Sequence, residues 1–470
     1  MCYVFCFKEN EISTRCKYVL QLPWWFWRRL FSIKERLVGK GLKILSLDLF
    51  LLQVGERMKK SKYNVIVSNS GANLIFNSLN HTCVVLNDKN YNEFCDMVAS
   101  SKYFDNFVEL GFYVEDEVDE TELFLYNSRK VLEEDKSSFY RILTTTACNA
   151  KCFYCYEKGI EVQTMDEKTA DSVCDFIINQ NKDNKNLTIE WFGGEPLVNH
   201  HIITYICDKL KGQGYTIFSR MISNGYIFDD QLISIAKNVW NLQSVQITLD
   251  GLKETYEKVK LFNEPNAFER VIGNIEKLLT NNIFVNIRLN YDNYNLDELM
   301  GLIDFLSEKF SKYNNIFVSA RKIMYDDRNN DLISSEQEDI SILRKLMKCG
   351  LQNDIIHRLK PRYKICPAYI LTSFVIMPNG DLFKCSKEIK NTKLKVGDVY
   401  NNINEYNTAR WCAPKMPEKC LSCNMLPLCN FGCRNELLLG KPFCMFSEKY
   451  LKEILLLYLE CNMDEIKKNI

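Results

Sequence analysis

Histidine is scarce in this chain: four residues in 470, His81, His200, His201 and His357, fall in no spacing that would ligate a metal, so an imidazole-built centre is not expected. A surplus of one charge is absent as well. Lys plus Arg number 60 and Asp plus Glu number 60, which leaves no electrostatic footprint for nucleic acid or an anionic membrane. No apolar run reaches the roughly 20 residues that span a bilayer, and no succession of basic start, apolar stretch and small-residue cleavage site marks a secretory signal. A reducing cytoplasm is therefore expected, where paired disulfides are disfavoured. What the chain has in abundance is cysteine, 20 residues gathered mainly in two places, together with enough apolar content for roughly two or three packed domains.

Residues 1–57 differ in character from the rest. The run Leu22-Pro-Trp-Trp-Phe-Trp-Arg-Arg-Leu-Phe31 and the Leu-rich stretch 42–54 read in one of two ways. Either they form a membrane-surface helix with Arg28, Arg29, Lys34 and Arg36 on its polar side, or they lie outside the natural protein. The second reading rests on Gly55-Glu56, encoded by GGN-GAR, a ribosome-binding-like purine run just ahead of Met58. Residues 58–130 then form a small module. Alternating Tyr63, Val65 and Val67, the turn Asn69-Ser-Gly71, Leu74-Ile-Phe76 and Thr82-Cys-Val-Val-Leu86 predict short antiparallel strands. Asn87-Asp88 caps a helix over 91–99, and a second helix over 104–110 ends at Gly111. Strands followed by short helices describe a winged-helix-like module, serving as a structural cap or as an edge against which an extended peptide pairs.

Over 135–350 apolar strands at 141–145, 187–192, 215–222, 244–249, 283–290 and 316–321 alternate with helical patterns. Ala170, Val173, Phe176 and Ile177 share one helix face, as do Val271, Ile275 and Leu278, and Leu302, Ile303 and Phe305. The alternation predicts an α/β fold with a parallel sheet and right-handed crossovers. Six units suit a partial (β/α)6 barrel, with its active site at the carboxyl ends of the strands. There stands Cys148-Asn-Ala-Lys-Cys152-Phe-Tyr-Cys155. Three thiolates can hold three irons of a four-iron cluster and leave the fourth open to a cofactor, whereas zinc would want a fourth ligand. Gly193-Gly-Glu-Pro196 follows the second strand, its glycines permitting close backbone approach and Glu195 able to hydrogen-bond beside a ligand. Asn224 ends the third strand in Ser-Asn-Gly, and Thr248 with Asp250-Gly251 ends the fourth.

This CxxxCxxC run, with Tyr154 before its third cysteine, resembles the signature of the radical S-adenosylmethionine (SAM) family. The resemblance implies a [4Fe–4S] cluster on Cys148, Cys152 and Cys155. It also implies cofactor contacts at Gly193, Gly194, Glu195 and Pro196 to the methionine amino group and at Asn224 to the ribose, with Tyr154, Thr248 and Asp250 beside them. The cofactor would supply a 5′-deoxyadenosyl radical that abstracts a substrate hydrogen.

Over 360–450 the order is Cys366, then Gly380-Asp-Leu-Phe-Lys-Cys385, then Cys420-x2-Cys423-x5-Cys429-x3-Cys433, then Cys444. An isolated Cys420-x2-Cys423 pair would favour structural zinc. The whole order resembles the SPASM domain, a Cys-rich C-terminal extension of peptide-modifying radical enzymes that houses two auxiliary [4Fe–4S] clusters. By that resemblance Cys366, Cys385 and Cys433 hold the first, and Cys420, Cys423, Cys429 and Cys444 hold the second. Some relatives have a further cysteine where Lys360 lies, so the first set lacks a fourth ligand. Cys349, Cys412 or an open iron that binds a substrate thiolate would fill the place. Ser386 stands where sulfatase-maturing relatives carry an aspartate base, leaving Asp381, Glu388 or a tyrosine to serve.

The module over 58–130 is similar to recognition elements that bind leader segments of ribosomally made peptides, and 451–470 read as a C-terminal helix. The resemblance implies a maturase of a Cys-rich peptide, most simply forming a thioether, with carbon–carbon crosslinking, epimerisation and sulfatase-type maturation as alternatives. Its partners would be a peptide substrate with its leader and a reductant such as flavodoxin or ferredoxin. The non-enzymatic alternative is a zinc-binding adaptor whose cysteines stabilise a fold.

Overall fold

Asn and Gly punctuate the first apolar stretches, and the chain turns where they stand. Ser70 and Gly71 both take positive φ, 51° and 81°, the left-handed pair a two-residue hairpin needs. The structure, a computed structural model, describes residues 3–8, 11–12, 58–134, 138–323 and 336–461, the last range without 354, 364–365, 402, 414, 441–443 and 445–446. The membrane-surface helix considered for 22–54 lies outside the described residues.

The module's strands are β1 (Tyr3–Lys8), β2 (Glu11–Ile12), β3 (Met58–Lys60), β4 (Asn64–Asn69), β5 (Ala72–Asn77), β6 (Thr82–Leu86) and β7 (Tyr113–Glu115). β4, β5 and β6 form the expected antiparallel meander, β1 joins β6 in parallel, and β3 pairs with β7. The Asn87 side chain accepts from Asn90 N and starts the helix Asp88–Cys95, somewhat earlier than its apolar pattern predicts. A second helix runs Phe104–Glu109, and Gly111 leaves it at φ 76°. Ile75, Val84 and Leu86 pack on Phe94, Phe104 and Phe107. The opposite sheet face, with Val65, Leu74 and Phe76, packs on Leu343, Leu451, Ile454 and Leu455, residues of the helices Glu336–Lys348 and Glu448–Cys461. Every residue of β5 is buried, because both faces of the sheet are covered.

The barrel strands are β8 (Ser138–Thr145), β9 (Asn186–Gly193), β10 (Thr216–Ser223), β11 (Leu242–Leu249), β12 (Phe284–Tyr291) and β13 (Ile316–Lys322). They run parallel in chain order. Alternation sorts each strand's side chains: Ile217, Val245, Ile247, Val285 and Val318 are buried outward against the helices, while Arg141, Glu190, Arg220 and Gln246 take the opposite, inner parity. β8 is not an edge. β14 (Phe374–Ile376) pairs with it in parallel, followed antiparallel by β15 (Asp381–Phe383) and β16 (Gly397–Asp398). The Cys-rich region thus begins as a continuation of the barrel sheet, nine strands in all among the described residues.

Candidate active site

Parallel strands deliver their carboxyl ends to one rim, and the loops there touch. Gly194 N donates to Thr145 O at 3.1 Å and Glu195 N to Ala147 O at 2.9 Å, which ties the Gly-Gly-Glu turn to the backbone just before Cys148. Pro196 opens a short 3-10 turn to Asn199. Glu195 is fully buried. Its Oε1 accepts from Leu197 N and Ser223 Oγ, and its Oε2 accepts from Asn224 N at 2.7 Å. Burial pushes its pKa up to about 7 even though these hydrogen bonds favour the anion. Its carboxylate therefore fixes the end of β10 against the end of β9.

Asn224, so held, sends Nδ2 to Asn149 Oδ1 at 2.7 Å, with Cys148 Sγ at 3.9 Å. Cys148 and Cys155 reach solvent and Cys152 is half-buried. Desolvation around its sulfur pushes the Cys148 thiol up, and Glu195, Cys152 and Cys155 add to the rise. On the other side of the loop Tyr154 OH donates to Asp250 Oδ1 at 2.6 Å. Lys260 Nζ lies 3.2 Å from Asp250 Oδ2 and 3.1 Å from Tyr154 OH, and Lys151 N donates to Lys260 O at 2.8 Å. Burial opposes the charge on Lys260, yet Asp250 holds its ammonium well above the ordinary range. Thr248, half-buried, stands opposite Arg288 in register.

Residues 142–306 match the family model of the radical SAM superfamily. The chain carries a radical SAM domain. Such a domain implies SAM and a [4Fe–4S] cluster as its equipment. The chain spans about half the length of the curated GTP 3′,8-cyclases of Clostridium perfringens that it matches at 30% identity, 52% for one and 50% for the other. It is 24% identical to the radical SAM cyclopropyl synthase TigE of Paramaledivibacter caminithermalis, over 73% of this chain and 79% of that protein. It is 21% identical to a cysteine-type anaerobic sulfatase-maturating enzyme of Clostridium novyi, over 65% and 93%. The solved structure of native anSMEcpe with bound AdoMet shares the fold, with TM-score 0.51 at 15% identity over 70% of this chain and 98% of that one.

The residues of the radical SAM loop fit the group it implies: three thiols share one loop, two reach solvent, and an asparagine amide lies beside the first. Among the described residues no three His, Cys, Asp or Glu side chains converge as on a single metal ion; a four-iron cluster spaces its ligands more widely than one ion does. The C-terminal cysteines fall into two neighbourhoods. Burial raises the Cys385 thiol to about 11, with Cys366 and Cys433 adding to the rise. Burial likewise raises Cys420, with Cys423 and Cys444 contributing. Beside the first group Arg434 is buried, its Nε and Nη1 without an acceptor among the described residues, as is Trp411 Nε1. Orphaned donors next to thiols suit a cluster's sulfurs. Cys412 Sγ lies 3.9 Å from Ala368 O, two residues past Cys366. Cys349 instead donates to Asp304 at 3.6 Å.

Lys260 is the residue sequence reasoning passed over. The signal was a lysine one turn after Tyr256 on the buried face of the helix Lys253–Lys260. The other is Arg141, whose Nε donates to Glu190 Oε1 at 2.5 Å and whose Nη1 donates to Ser386 Oγ at 2.6 Å.

Proposed function

We propose that the chain is a radical SAM peptide maturase that modifies a ribosomally made, Cys-rich peptide, most simply by thioether crosslinking. In this reading Cys148, Cys152 and Cys155 hold the catalytic cluster, and Tyr154, Gly193, Gly194, Glu195, Pro196, Asn224, Thr248 and Asp250 surround the cofactor. Cys366, Cys385 and Cys433 hold one auxiliary cluster, and Cys420, Cys423, Cys429 and Cys444 the other. The observation that carries it is Arg141. From the inner face of β8 it reaches Ser386, the neighbour of Cys385, so a substrate in the barrel lies between the two cysteine groups.

When bound, the reduced cluster and SAM supply a 5′-deoxyadenosyl radical. The chain's own residues do the positioning. Asp250 and Lys260 pin Tyr154 and the loop backbone, Glu195 sets Asn224, and the Arg141–Glu190 pair keeps a charged strut across the wall between the cysteine groups. The module over 58–130 would dock an extended leader beside β6, in the place that β1 takes here. A cytoplasmic flavodoxin or ferredoxin would supply electrons. Thioether formation replaces one S–H and one C–H bond with an S–C bond. The hydrogen atom from carbon would leave on the 5′-deoxyadenosyl group that SAM supplies, the thiol proton would go to a base, and the remaining electron would pass to an iron–sulfur cluster held by Cys366, Cys385 and Cys433.

Sulfatase-type maturation is a second reading, supported by the Clostridium novyi relative and by anSMEcpe having been solved with the Kp18Cys peptide. Against it, Ser386 is engaged by Arg141, Asp381 pairs with Lys395, and Glu388 accepts from Asn435 at 2.7 Å. The test is mass spectrometry of a Cys-rich peptide encoded beside the gene, after incubation with reconstituted enzyme, SAM and reductant. A loss of two hydrogens per crosslink, with a cysteine no longer alkylated, supports the thioether. Turnover of a sulfatase-derived peptide instead would transfer the assignment.

A further inference from the structure

On their inner parity the six barrel strands carry Arg141, Arg220, Arg288 and Arg321 against one carboxylate, Glu190. In a chain whose charges balance overall, that is a local excess of cations, inside walls that focus the field on whatever enters. Most of it is engaged. Arg141 takes Glu190, Arg288 Nε donates to Asn290 Oδ1 at 2.9 Å, and Arg321 Nη1 donates to Ala320 O at 2.6 Å. Arg220 is different. It stands between Glu190 and Ser244 in strand register, is exposed on the inner face, and has no ion-pair or hydrogen-bond partner among the described residues. It lines a cavity of about 610 Å³ together with Glu190, whose carboxylate is already paired with Arg141, and with Gln246, Asn286, Ile222, Phe284 and Phe317. Gln246 Oε1 accepts from Asn286 Nδ2 at 3.4 Å, so its Nε2 remains a donor to spare.

We propose that this cavity binds a carboxylate of the substrate, either an acidic side chain or a free C-terminus. Arg220 is its counter-ion, Gln246 a second donor, and Ile222, Phe284 and Phe317 receive the attached methylenes. The assignment rests on the peptide reading above. It also sets a spacing. Arg220 to Asn224 is four strand residues, about 13 Å, so an extended peptide anchored at Arg220 brings the residue about four positions away to the cofactor.

The experiment is calorimetry on the full chain, reconstituted without oxygen and saturated with SAM. The probes are N-acetylglutamate N-methylamide, its glutamine counterpart, N-acetylglutamine with a free carboxylate, and glutarate. One of the two capped acids should bind roughly ten- to a hundredfold more tightly than the neutral glutamine diamide, and which one does so names the source of the carboxylate. Arg220→Gln should erase that preference, Arg220→Lys should restore part of it, and raising the salt should narrow it. Equal binding of acid and amide, binding of neither, or a preference that survives Arg220→Gln overturns the proposal. So does a loss of SAM affinity in Arg220→Gln while the acid probe still binds, which would make Arg220 a ligand of the cofactor's own carboxylate. Glutarate binding as tightly as the better capped acid supports the carboxylate site and counts against the peptide reading beneath it.

Discussion

Replacing Gly194 with alanine puts a methyl group where the backbone of the cysteine loop already runs. The new Cβ would lie 2.4 Å from Ala147 O, 2.5 Å from Thr146 O and 2.7 Å from Ala147 C, all backbone atoms, where ordinary contact begins at 3.4 Å. A gap of about 1 Å, the difference of 3.4 and 2.4, has to open. The two segments are tied by Gly194 N to Thr145 O and Glu195 N to Ala147 O, so the shift carries Cys148 away from Asn224. Overpacking of this kind costs about 1–3 kcal/mol, and displacing a reacting group by ~1 Å costs about a hundredfold in rate. Gly194→Ala should therefore unfold in urea with a free energy lower by about 2 kcal/mol and release 5′-deoxyadenosine at least tenfold more slowly, with iron at the C-terminal cysteines retained. Wild-type stability together with a wild-type cleavage rate would refute the contact and the role given to it.

Changing Cys148, Cys152 and Cys155 together to alanine should abolish SAM cleavage, followed as 5′-deoxyadenosine, while iron analysis still finds the auxiliary share, because the two cysteine groups sit on different elements. Cys429→Ala or Cys444→Ala should lower solubility and iron content as well as turnover, since a cluster stabilises the loop-rich region that holds it; a soluble variant with native iron and full peptide turnover would contradict their role as ligands. Glu195, raised by burial from 4.5 to about 7, binds its proton more tightly folded than unfolded. Its contribution is greatest below pH 4.5 and is lost as pH rises through 7, about 3 kcal/mol in all. Urea unfolding of Glu195→Gln across that range should show the wild type losing this increment relative to the variant. A chain beginning near Asp135 should precipitate or bind a hydrophobic dye, because removing Val65, Leu74 and Phe76 uncovers Leu451, Ile454 and Leu455, each worth about 1.5–3 kcal/mol when buried. Deleting the module is then a test of the fold before it is a test of docking.

The six barrel strands and the meander before them were legible because their side chains alternate or run apolar between clear turns. The cysteine loop and the Gly-Gly-Glu turn were legible because their residue types have few other uses in such an order. β14 to β16 were not read as strands, being two or three residues each, although Pro378-Asn379-Gly380 between Phe374-Val-Ile376 and Asp381-Leu-Phe383 is a hairpin signal. What joins remote segments stayed out of reach. The bond from Arg141 to Ser386 and the seating of the last helix on the first sheet depend on which faces meet, and periodicity says only that a face is apolar. The same limit applies to the two C-terminal candidates: spacing treats Cys349 and Cys412 alike, and only the fold sets Cys412 near Ala368.

The module's central strand lies under a helix made of almost the last residues described, and the second C-terminal cysteine group is bonded to the module through Thr121 Oγ1 to Leu421 O and Ser78 Oγ to Asn424 O. During synthesis the module therefore leaves the ribosome with one apolar sheet face bare, and the face stays bare until nearly the entire chain has followed. Contacts between segments so far apart close slowly. Under the proposed assignment, iron delivery to Cys420, Cys423 and Cys444 would have to wait for that closure, so a cell short of chaperones should accumulate this protein with the barrel formed and those cysteines unfilled.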